Sequence, residues 1–423
     1  MKKVSSSSPS LEFRNAACLA TPVGSTSRRG KAQGEILRLF HAALRAENGR
    51  IVFAGPEAEY ARAFAGQGAD VSIDATGQTL LPGLVDAHTH PVWTGDRGPE
   101  IGRRLGGESY ASIAAEGGGI QETVRATRAA TDRELRSTVD RRLAKMRAHG
   151  TTTVEAKTGY GLTVEHELRA LSLLAETDAE DLPRVVPTLL AAHEFPPERR
   201  DRPDDWVETI VSEIVPRAAG LARFCDVFCE EGVFTVDQSR RILTAARAAG
   251  MGIRIHADEL TRSGGARLAA ELSASSADHL LCIGEAEVAA LARSGTTAVL
   301  LPGTAWWMRS RPAPARALIE AGVAVAVASD ANPGTCYTES LAAVAAHACL
   351  DSRLSAEETL TAMTLNAAAS LGLAGETGSL EPGKAADVLL LDAPDDRHLV
   401  YHWGVNLVAG VSLRGHWVSN ATR

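Results

Sequence analysis

Long apolar runs are missing from this sequence, and aromatic residues make up only 4% of it. No apolar stretch reaches the ~18 residues that a membrane span needs. The N-terminal Met1-Lys2-Lys3-Val4 is followed by four serines instead of the apolar segment of a signal peptide. We therefore expect a soluble chain that is neither exported nor embedded in a membrane.

Cysteines and basic clusters are also sparse. The six cysteines form no Cys-x-x-Cys pair, which supports neither a disulfide framework nor a thiolate zinc knuckle and favours a reducing cytoplasm. The formal net charge is -8 and no dense Lys/Arg run occurs, so we expect no nucleic-acid partner. Arg141-Arg142 and Arg199-Arg200 stand beside acidic residues, and we interpret both pairs as solvated surface positions.

The middle of the chain has the periodicity of repeated strand-helix units. The 423 residues are 45% hydrophobic and 23% charged, which is typical of a globular protein with one large and one smaller domain. Short apolar, β-branched runs alternate with longer helical patterns. We predict eight strands: Leu84 to His90, Thr151 to Lys157, Arg184 to His193, Cys225 to Glu230, Gly252 to Asp258, Ser276 to Leu280, Ala298 to Gly303 and Val323 to Asp330.

Eight strands that each precede a helix predict a TIM-like (β/α)8 barrel, an α/β fold, over residues 81–374. One of the helices, Val236 to Ala249, is followed by Gly250, a residue type that often ends helices.

The flanking segments, 1–80 and 375–423, carry other strand patterns. Arg50 to Gly55 resembles a short strand, and Gly378 to Asp392 reads as strand-turn-strand with Pro382-Gly383 at its turn. We expect both ends of the chain to pair into one small composite β-sandwich domain.

Histidines mark one edge of the predicted barrel. In such barrels the C-terminal ends of the strands carry the chemistry. Five of the twelve histidines fall at or next to those ends, and so does Asp330. The five are His88, His90, His193, His256 and His279.

A metal site is the chemistry that these residues favour. His88 and His90 flank Thr89, so the two-residue period of a strand turns both imidazoles to the same face. His256 ends the fifth strand as a third candidate ligand. Glu259 lies about one helical turn further on, where a carboxylate can move protons to and from a metal-held water.

Asp330 completes this set. It follows the apolar run Val323 to Ala328, a pattern typical of a buried parallel strand, where a carboxylate needs a partner. Three imidazoles and one carboxylate with an open position for water suit one divalent or trivalent ion, zinc or iron. Such an ion would lower the pKa of its water toward neutrality.

His279, on the sixth strand, either ligates the metal or stands beside it. We assign it to orienting the nucleophile or stabilising the developing oxyanion. The predicted catalytic residues are therefore Glu259, His279 and Asp330.

These residues, in this order, resemble the amidohydrolase superfamily. Cys229-Glu230-Glu231 stands at the end of the fourth strand, where the binuclear branch carries a lysine, so the resemblance implies a mononuclear site. The loop motifs between about residues 80 and 412 are similar to those of the imidazolonepropionase family. They include Pro82 to His90, Thr94 to Arg97, Gly117 to Ile120, Lys157 to Leu162, Asp226 to Glu230, Asn332 to Thr335 and Tyr401 to Asn406.

The resemblance implies metal ligands, substrate contacts and a reaction. The implied ligands are His88, His90, His256 and Asp330. The implied substrate contacts are Arg97, Tyr110, Tyr160, His193, Glu259, Asn332, Gly334 and Thr335. The implied reaction opens the ring amide bond of 4-imidazolone-5-propanoate to N-formimidoyl-L-glutamate in histidine degradation, catalysed by a homodimer. The guanidinium of Arg97 agrees with this, because it can hold a propionate through two hydrogen bonds.

Two segments depart from the family pattern: Glu194-Phe195-Pro196 after His193, and the bulky Trp306-Trp307-Met308. We expect both to reshape the pocket. A deaminase or another cyclic-amide hydrolase is the alternative. A pocket in which Arg97 makes no contact with a substrate carboxylate would favour this alternative. A non-catalytic scaffold predicts lost metal ligands, whereas all of them are present.

Overall fold

The computed structural model describes residues 9–108, 112–113, 116–177 and 179–420. Eight parallel strands form one sheet in the order in which they occur along the chain, as predicted. Most end one to three residues earlier than predicted. They are β6 (Leu84–Thr89), β7 (Thr151–Lys157), β8 (Arg184–Ala192), β9 (Phe224–Cys229), β10 (Gly252–Ala257), β11 (Ser276–His279), β12 (Thr297–Leu300) and β13 (Val325–Val327).

The sheet closes into a barrel where β6 meets the end of β13. The backbone N–H of Asp330 donates to the His88 carbonyl at 3.0 Å, and that of His90 donates to the Ala331 carbonyl at 3.0 Å. The closure therefore lies at the C-terminal ends of the strands, among the predicted site residues.

The remaining strands form a second, mixed sheet from both ends of the chain. They are β1 (Leu11–Thr21), β2 (Leu37–Glu47), β3 (Arg50–Pro56), β4 (Val71–Asp74), β5 (Thr79–Pro82), β14 (Val388–Leu391), β15 (Val408–Leu413) and β16 (His416–Ser419). Their order in the sheet is β16-β15-β14-β5-β1-β2-β3, with β4 beside β1. β1 pairs with β2 antiparallel and with β5 parallel, and β5 pairs with β14 antiparallel.

The strand-turn-strand pattern predicted from Gly378 to Asp392 is only half present. β14 forms, and Gly383 lies in the turn at φ 92°, but the residues before the turn form no strand. Ser379, in this stretch, instead provides one of three acceptors for Lys384, whose Nζ donates to Gly24 O, Ala374 O and Ser379 Oγ, each at 2.6 Å. A buried ammonium needs such acceptors, which is a physical reason for this stretch to turn rather than extend.

Five of the described helices begin at a residue whose side chain caps the helix. Thr235 and Gln238 form a capping box at the start of Val236–Ala248, and Gly250 follows its end at φ 88°, close to the predicted bounds. None of the described helices is long and apolar enough to cross a membrane. The described α-helices are α1 (Glu57–Ala63), α2 (Gly98–Leu105), α3 (Ile120–Ala129), α4 (Asp132–Ala148), α5 (Val164–Ala175), α6 (Pro203–Thr209), α7 (Val215–Ala218), α8 (Val236–Ala248), α9 (Gly265–Glu271), α10 (Glu285–Ser294), α11 (Pro302–Trp307), α12 (Ala315–Glu320), α13 (Leu341–Leu350), α14 (Ala356–Ala362), α15 (Leu365–Ser370) and α16 (His398–Tyr401).

Arg142, in α4, is buried, and the prediction that it is solvated was wrong. Its Nη1 donates to the carbonyls of Pro91 at 2.8 Å and Trp93 at 2.7 Å, and its guanidinium lies 3.5 Å from the centre of the Trp93 ring. These contacts compensate the loss of water around the cation. Arg142 thereby holds the segment that leaves β6 after His90.

Candidate metal centre and active site

Four imidazoles and one carboxylate converge where the barrel closes. His88 lies in β6, His256 in β10 and His279 at the end of β11, while His90 directly follows β6 and Asp330 lies just beyond the end of β13. None of the five residues is more than 3% exposed. Parallel strands bring their C-terminal ends to one rim, which is why residues far apart in sequence meet here.

The nitrogen and oxygen atoms of this cluster lie close enough to share one ion. His88 Nε2 is 3.3 Å from His90 Nε2. Asp330 Oδ1 is 3.3 Å from His90 Nε2 and 3.6 Å from His88 Nε2. One ligand atom from each of His88, His90 and His256 lies within 4.8 Å of the others, and the same holds for His88, His279 and Asp330.

The donor set fits a metal ion. Burial lowers the pKa of His88 well below its usual value and also lowers that of His90, so both rings are neutral and offer lone pairs. His90 Nδ1, His256 Nε2 and His279 Nδ1 have no hydrogen-bond partner among the described residues. Buried polar atoms rarely stay unpaired, and imidazole and carboxylate are ligands that zinc and iron accept.

Two residues of the site have strained backbones. His279 lies at φ 73° and Asp330 at φ 51°, in the left-handed region that side chains other than glycine seldom adopt. Both occur where a strand breaks off at the rim. Strain of this kind persists at functional sites because surrounding contacts hold it in place, here the hydrogen bond from Asp330 N–H to His88.

Glu259 stands beside the cluster. Its Oε2 lies 3.5 Å from His279 Nε2. Burial, aided by the negative charges of Asp330 and Glu230, raises the pKa of Glu259 to about 8. Burial lowers the pKa of His279 to about 3. The pair therefore combines a carboxyl group able to carry a proton with a neutral imidazole.

The turn that carries Glu259 is held by Glu230, a residue that sequence reasoning noted only as the place of a missing lysine. Glu230 Oε2 accepts from the N–H groups of Glu259 at 3.1 Å and Leu260 at 2.9 Å, and its Oε1 accepts from Thr261 N at 3.1 Å. The sequence signal that could have identified Glu230 as a site residue is its position directly after β9.

A cavity of about 220 Å³ opens over the cluster. Seven of the eight predicted substrate contacts line it, and Tyr110 lies outside the described residues. The seven are Arg97, Tyr160, His193, Glu259, Asn332, Gly334 and Thr335. Glu194 and Met308 also line it, whereas Trp306 and Trp307 line a neighbouring apolar cavity of about 440 Å³. Of the segment Trp306-Trp307-Met308, only Met308 therefore shapes this pocket.

Arg97 is buried in the wall of this cavity. Its Nε and Nη2 donate to one oxygen of Glu100, at 3.1 and 2.9 Å. A Cβ added at Gly334 would lie 2.4 Å from Arg97 Nη1, so the guanidinium packs directly on this glycine. Glu100 and Gly334 together define where Arg97 can point.

Tyr160 lies in a loop whose backbone is hydrogen-bonded to Glu167. The fully buried Glu167 carboxylate accepts from the N–H groups of Gly159 at 3.1 Å, Gly161 at 2.8 Å and Leu162 at 2.8 Å. Gly159, at φ 109°, leaves room for His193. The Nδ1 atom of His193 lies 3.1 Å from the carbonyl oxygen of Gly159. Sequence reasoning missed Glu167, because nothing in a helical Val-Glu-His-Glu pattern distinguishes it from a surface acid.

Asn332 organises the turn after Asp330. Its Oδ1 accepts from Gly334 N and Thr335 N at 2.8 Å, and its Nδ2 donates to the Asp330 carbonyl at 2.8 Å. These bonds place Gly334 against Arg97.

Arg200 was predicted to be a solvated surface residue, and it is exposed but also lines the site cavity. Within the described part of the chain it makes no hydrogen bond and no ion pair. Its neighbour Arg199 lies 3.7 Å from Asp205 Oδ2 and does not line the cavity.

The sequence profile of the Amidohydrolase family matches residues 79–418. The fold is also that of solved structures. An adenosine deaminase from Xanthomonas campestris with bound zinc superimposes with a TM-score of 0.67 at 20% identity, covering 96% of this chain and 92% of that one. Guanine deaminase from E. coli gives 0.67 at 15% identity, covering 97% and 100%. The chain belongs to the amidohydrolase family and is a hydrolase.

Sequence similarity narrows the family. Imidazolonepropionase from Symbiobacterium thermophilum is 48% identical over 92% of this chain and 93% of its own. Imidazolonepropionase from Geobacillus kaustophilus is 46% identical over 88% and 89%. Within the amidohydrolases, the chain is a member of the imidazolonepropionase family.

Proposed function

We propose that this chain hydrolyses the ring carbon-nitrogen amide bond of 4-imidazolone-5-propanoate to N-formimidoyl-L-glutamate, a step of histidine degradation. The observation that carries the proposal is one cavity that joins a buried metal-type donor set to the buried cation Arg97. The similarity to imidazolonepropionases over most of the chain supports it.

The proposed ligands of the single metal ion are His88, His90, His256 and Asp330. Zinc and iron both suit three imidazoles and a carboxylate. Bound there, the ion would polarise the ring carbonyl and acidify a water molecule.

The protein's own residues bind the substrate and move the proton. Arg97 holds the propionate, and Tyr160 and His193 form the wall beside the ring. Water adds to the ring carbonyl carbon while an N–H of His279 stabilises the oxygen that becomes negative. In its ionised form Glu259 takes the proton from the water and delivers it to the ring nitrogen, which keeps the electron pair of the broken bond. The leaving group is an amidine nitrogen, a better leaving group than a simple amine.

We also propose that the enzyme is a homodimer. Trp306, Trp307, Tyr337 and Trp403 are 55%, 40%, 59% and 67% exposed around the apolar cavity of about 440 Å³. Exposed aromatic groups of this kind favour a protein interface. Light scattering during gel filtration tests this proposal. The wild-type protein should have the mass of a dimer, and Trp403→Ala should shift it toward the mass of a monomer. A wild-type protein with the mass of a monomer would contradict the proposal.

A cytoplasmic location is proposed as well. All six cysteines are free thiols, which fits a reducing compartment.

The deciding experiment supplies freshly generated imidazolonepropionate to metal-loaded and chelated enzyme and follows formiminoglutamate by mass spectrometry. Turnover that chelation removes supports the proposal. Glu259→Gln should lower kcat at least about a hundredfold, while Glu231→Gln, an exposed neighbour of Glu230, should not. A metal-loaded protein that leaves this substrate intact but releases ammonia from an aminated heterocycle would establish the deaminase alternative.

A further inference from the structure

Five charged side chains form a buried ionic cluster inside the barrel, next to the histidine site. Each has a fractional exposure of 0%, which is rare for charged residues. They come from four of the barrel strands: Glu155 and Lys157 from β7, Asp226 from β9, Arg254 from β10 and Asp278 from β11.

Two of the carboxylates bridge a cation to a histidine through a single oxygen. Asp226 Oδ2 lies 2.7 Å from Lys157 Nζ and 3.0 Å from His256 Nδ1. Asp278 Oδ2 lies 3.3 Å from Arg254 Nη2 and 2.6 Å from His88 Nδ1. The same three-part chain of cation, carboxylate and imidazole thus occurs twice.

Glu155 joins the two chains. Its Oε1 lies 2.9 Å from Lys157 Nζ and 3.9 Å from Arg254 Nε. The cluster is therefore one connected unit that contacts two of the proposed ligands, His88 and His256, at their Nδ1 atoms.

In both rings the nitrogen beside the carboxylate is Nδ1, through a hydrogen bond in His88 and at ion-pair distance in His256, so the lone pair of Nε2 is left for the site. A carboxylate on one ring nitrogen fixes the tautomer and orientation of a histidine ligand. A buried carboxylate keeps its own position only if a cation offsets its charge and takes part of its hydrogen bonding. Lys157 and Arg254 meet that need, because each contacts the same oxygen as the histidine.

We propose that Lys157 and Arg254 are positioning residues that set metal affinity without touching the metal, Lys157 through Asp226 and His256, and Arg254 through Asp278 and His88. The inference rests on the proposed metal site, and it extends that site to a layer for which no role was predicted from the sequence.

The test measures the metal dissociation constant by competition with a chelator for Lys157→Met and Asp226→Asn. Each should weaken zinc binding by about ten- to a hundredfold. The double variant should bind zinc no more weakly than the weaker-binding single variant, because both changes break the same series of contacts from Lys157 through Asp226 to His256. The visible spectrum of the cobalt-loaded protein should also shift in all three, since it reports ligand geometry.

Lys384→Met is the matched control. Lys384 is also buried and makes three hydrogen bonds, but it lies beside the mixed sheet. The Lys384→Met change should lower the melting temperature and leave the zinc dissociation constant and the cobalt spectrum unchanged. Should Lys157→Met not fold, Asp226→Asn and Asp278→Asn, each touching one histidine, decide the matter.

Folded variants that bind zinc as tightly as the wild type, with the wild-type cobalt spectrum, would overturn the inference. A wild-type protein that binds no metal would overturn the proposed site and the inference together. Tight metal binding with no turnover of imidazolonepropionate would overturn only the proposed substrate, and the affinity measurements would still decide the inference.

Discussion

The backbone N–H of Asp330 donates a 3.0 Å hydrogen bond to the carbonyl oxygen of His88, so the first and last barrel strands meet at two proposed metal ligands. An ion held by both side chains would tie the same two strands together. We predict that chelation lowers the melting temperature and that added metal restores it. At a free metal concentration of a hundred times the dissociation constant, binding contributes about 2.7 kcal/mol to stability.

Calorimetry with and without metal measures this shift. His88→Ala should lose the response, whereas His416→Ala, in the mixed sheet, should retain it. Equal melting temperatures for loaded and metal-free wild type would contradict the prediction.

Gly334→Ala should displace Arg97. The added methyl group would lie 2.4 Å from Arg97 Nη1, so the guanidinium must move from the cavity wall. We expect the KM for imidazolonepropionate to rise about tenfold or more, which corresponds to about 1.4 kcal/mol of lost binding, with a smaller change in kcat. Gly102→Ala, at a helical position with no atom within 4 Å of the new methyl, is the control. Unchanged steady-state kinetics in Gly334→Ala would argue against Arg97 as the propionate contact.

Arg200→Gln should also raise KM, but through a different effect. Arg97 is paired with Glu100, whereas Arg200 has no ion pair among the described residues and faces a cavity that also holds Glu194, Glu259 and Asp330. An anionic substrate would be drawn by this cation. We expect kcat/KM to fall about threefold to tenfold at low salt and to lose much of its dependence on ionic strength. Arg199→Gln, outside the cavity, should keep the wild-type salt dependence, and identical behaviour of both variants would refute the role of Arg200.

Glu287 should make stability depend on acid pH. Burial opposes its ionisation, but hydrogen bonds from Gly284 N–H, Arg262 and Arg267 lower the pKa of Glu287 to about 2. A carboxyl group with a depressed pKa stabilises the fold above its unfolded value of about 4.5, and this contribution disappears as the pH falls toward 2. Because both arginines are more than half exposed, we expect about 1–2 kcal/mol.

Chemical denaturation of Glu287→Gln across this pH range provides the measurement. Its deficit relative to wild type should be full at pH 6 and shrink below about 4.5. Glu285→Gln, exposed in the same helical turn, should show no deficit. A deficit in Glu287→Gln that stays constant down to the lowest pH would exclude the ionised carboxylate as its source.

The barrel could be predicted because its signals are local. Apolar runs such as Thr151 to Lys157 and the glycine after α8 report their own conformation, and eight such units imply the closure. The half-formed pattern before Lys384 shows the limit, since a buried ammonium drew its acceptors from chain segments far apart in sequence.

Much of the candidate site could also be anticipated, because strand ends place His88, His256 and Asp330 on one rim. The supporting residues could not. Glu167 looks like an ordinary surface acid in sequence, and the strand-end position of Lys157 does not reveal its partner. Only the fold shows that their charges are buried against a loop and a carboxylate. Arg142 was misjudged for the same reason, because its acceptors are backbone carbonyls that no sequence pattern reveals.

The most direct test of the central claim is the mass of the product formed from imidazolonepropionate in water enriched in the heavy oxygen isotope. We expect a product that keeps both ring nitrogens and gains one solvent oxygen, in its new carboxylate, with no turnover after chelation. Release of ammonia, or turnover by the fully metal-free enzyme, would contradict it.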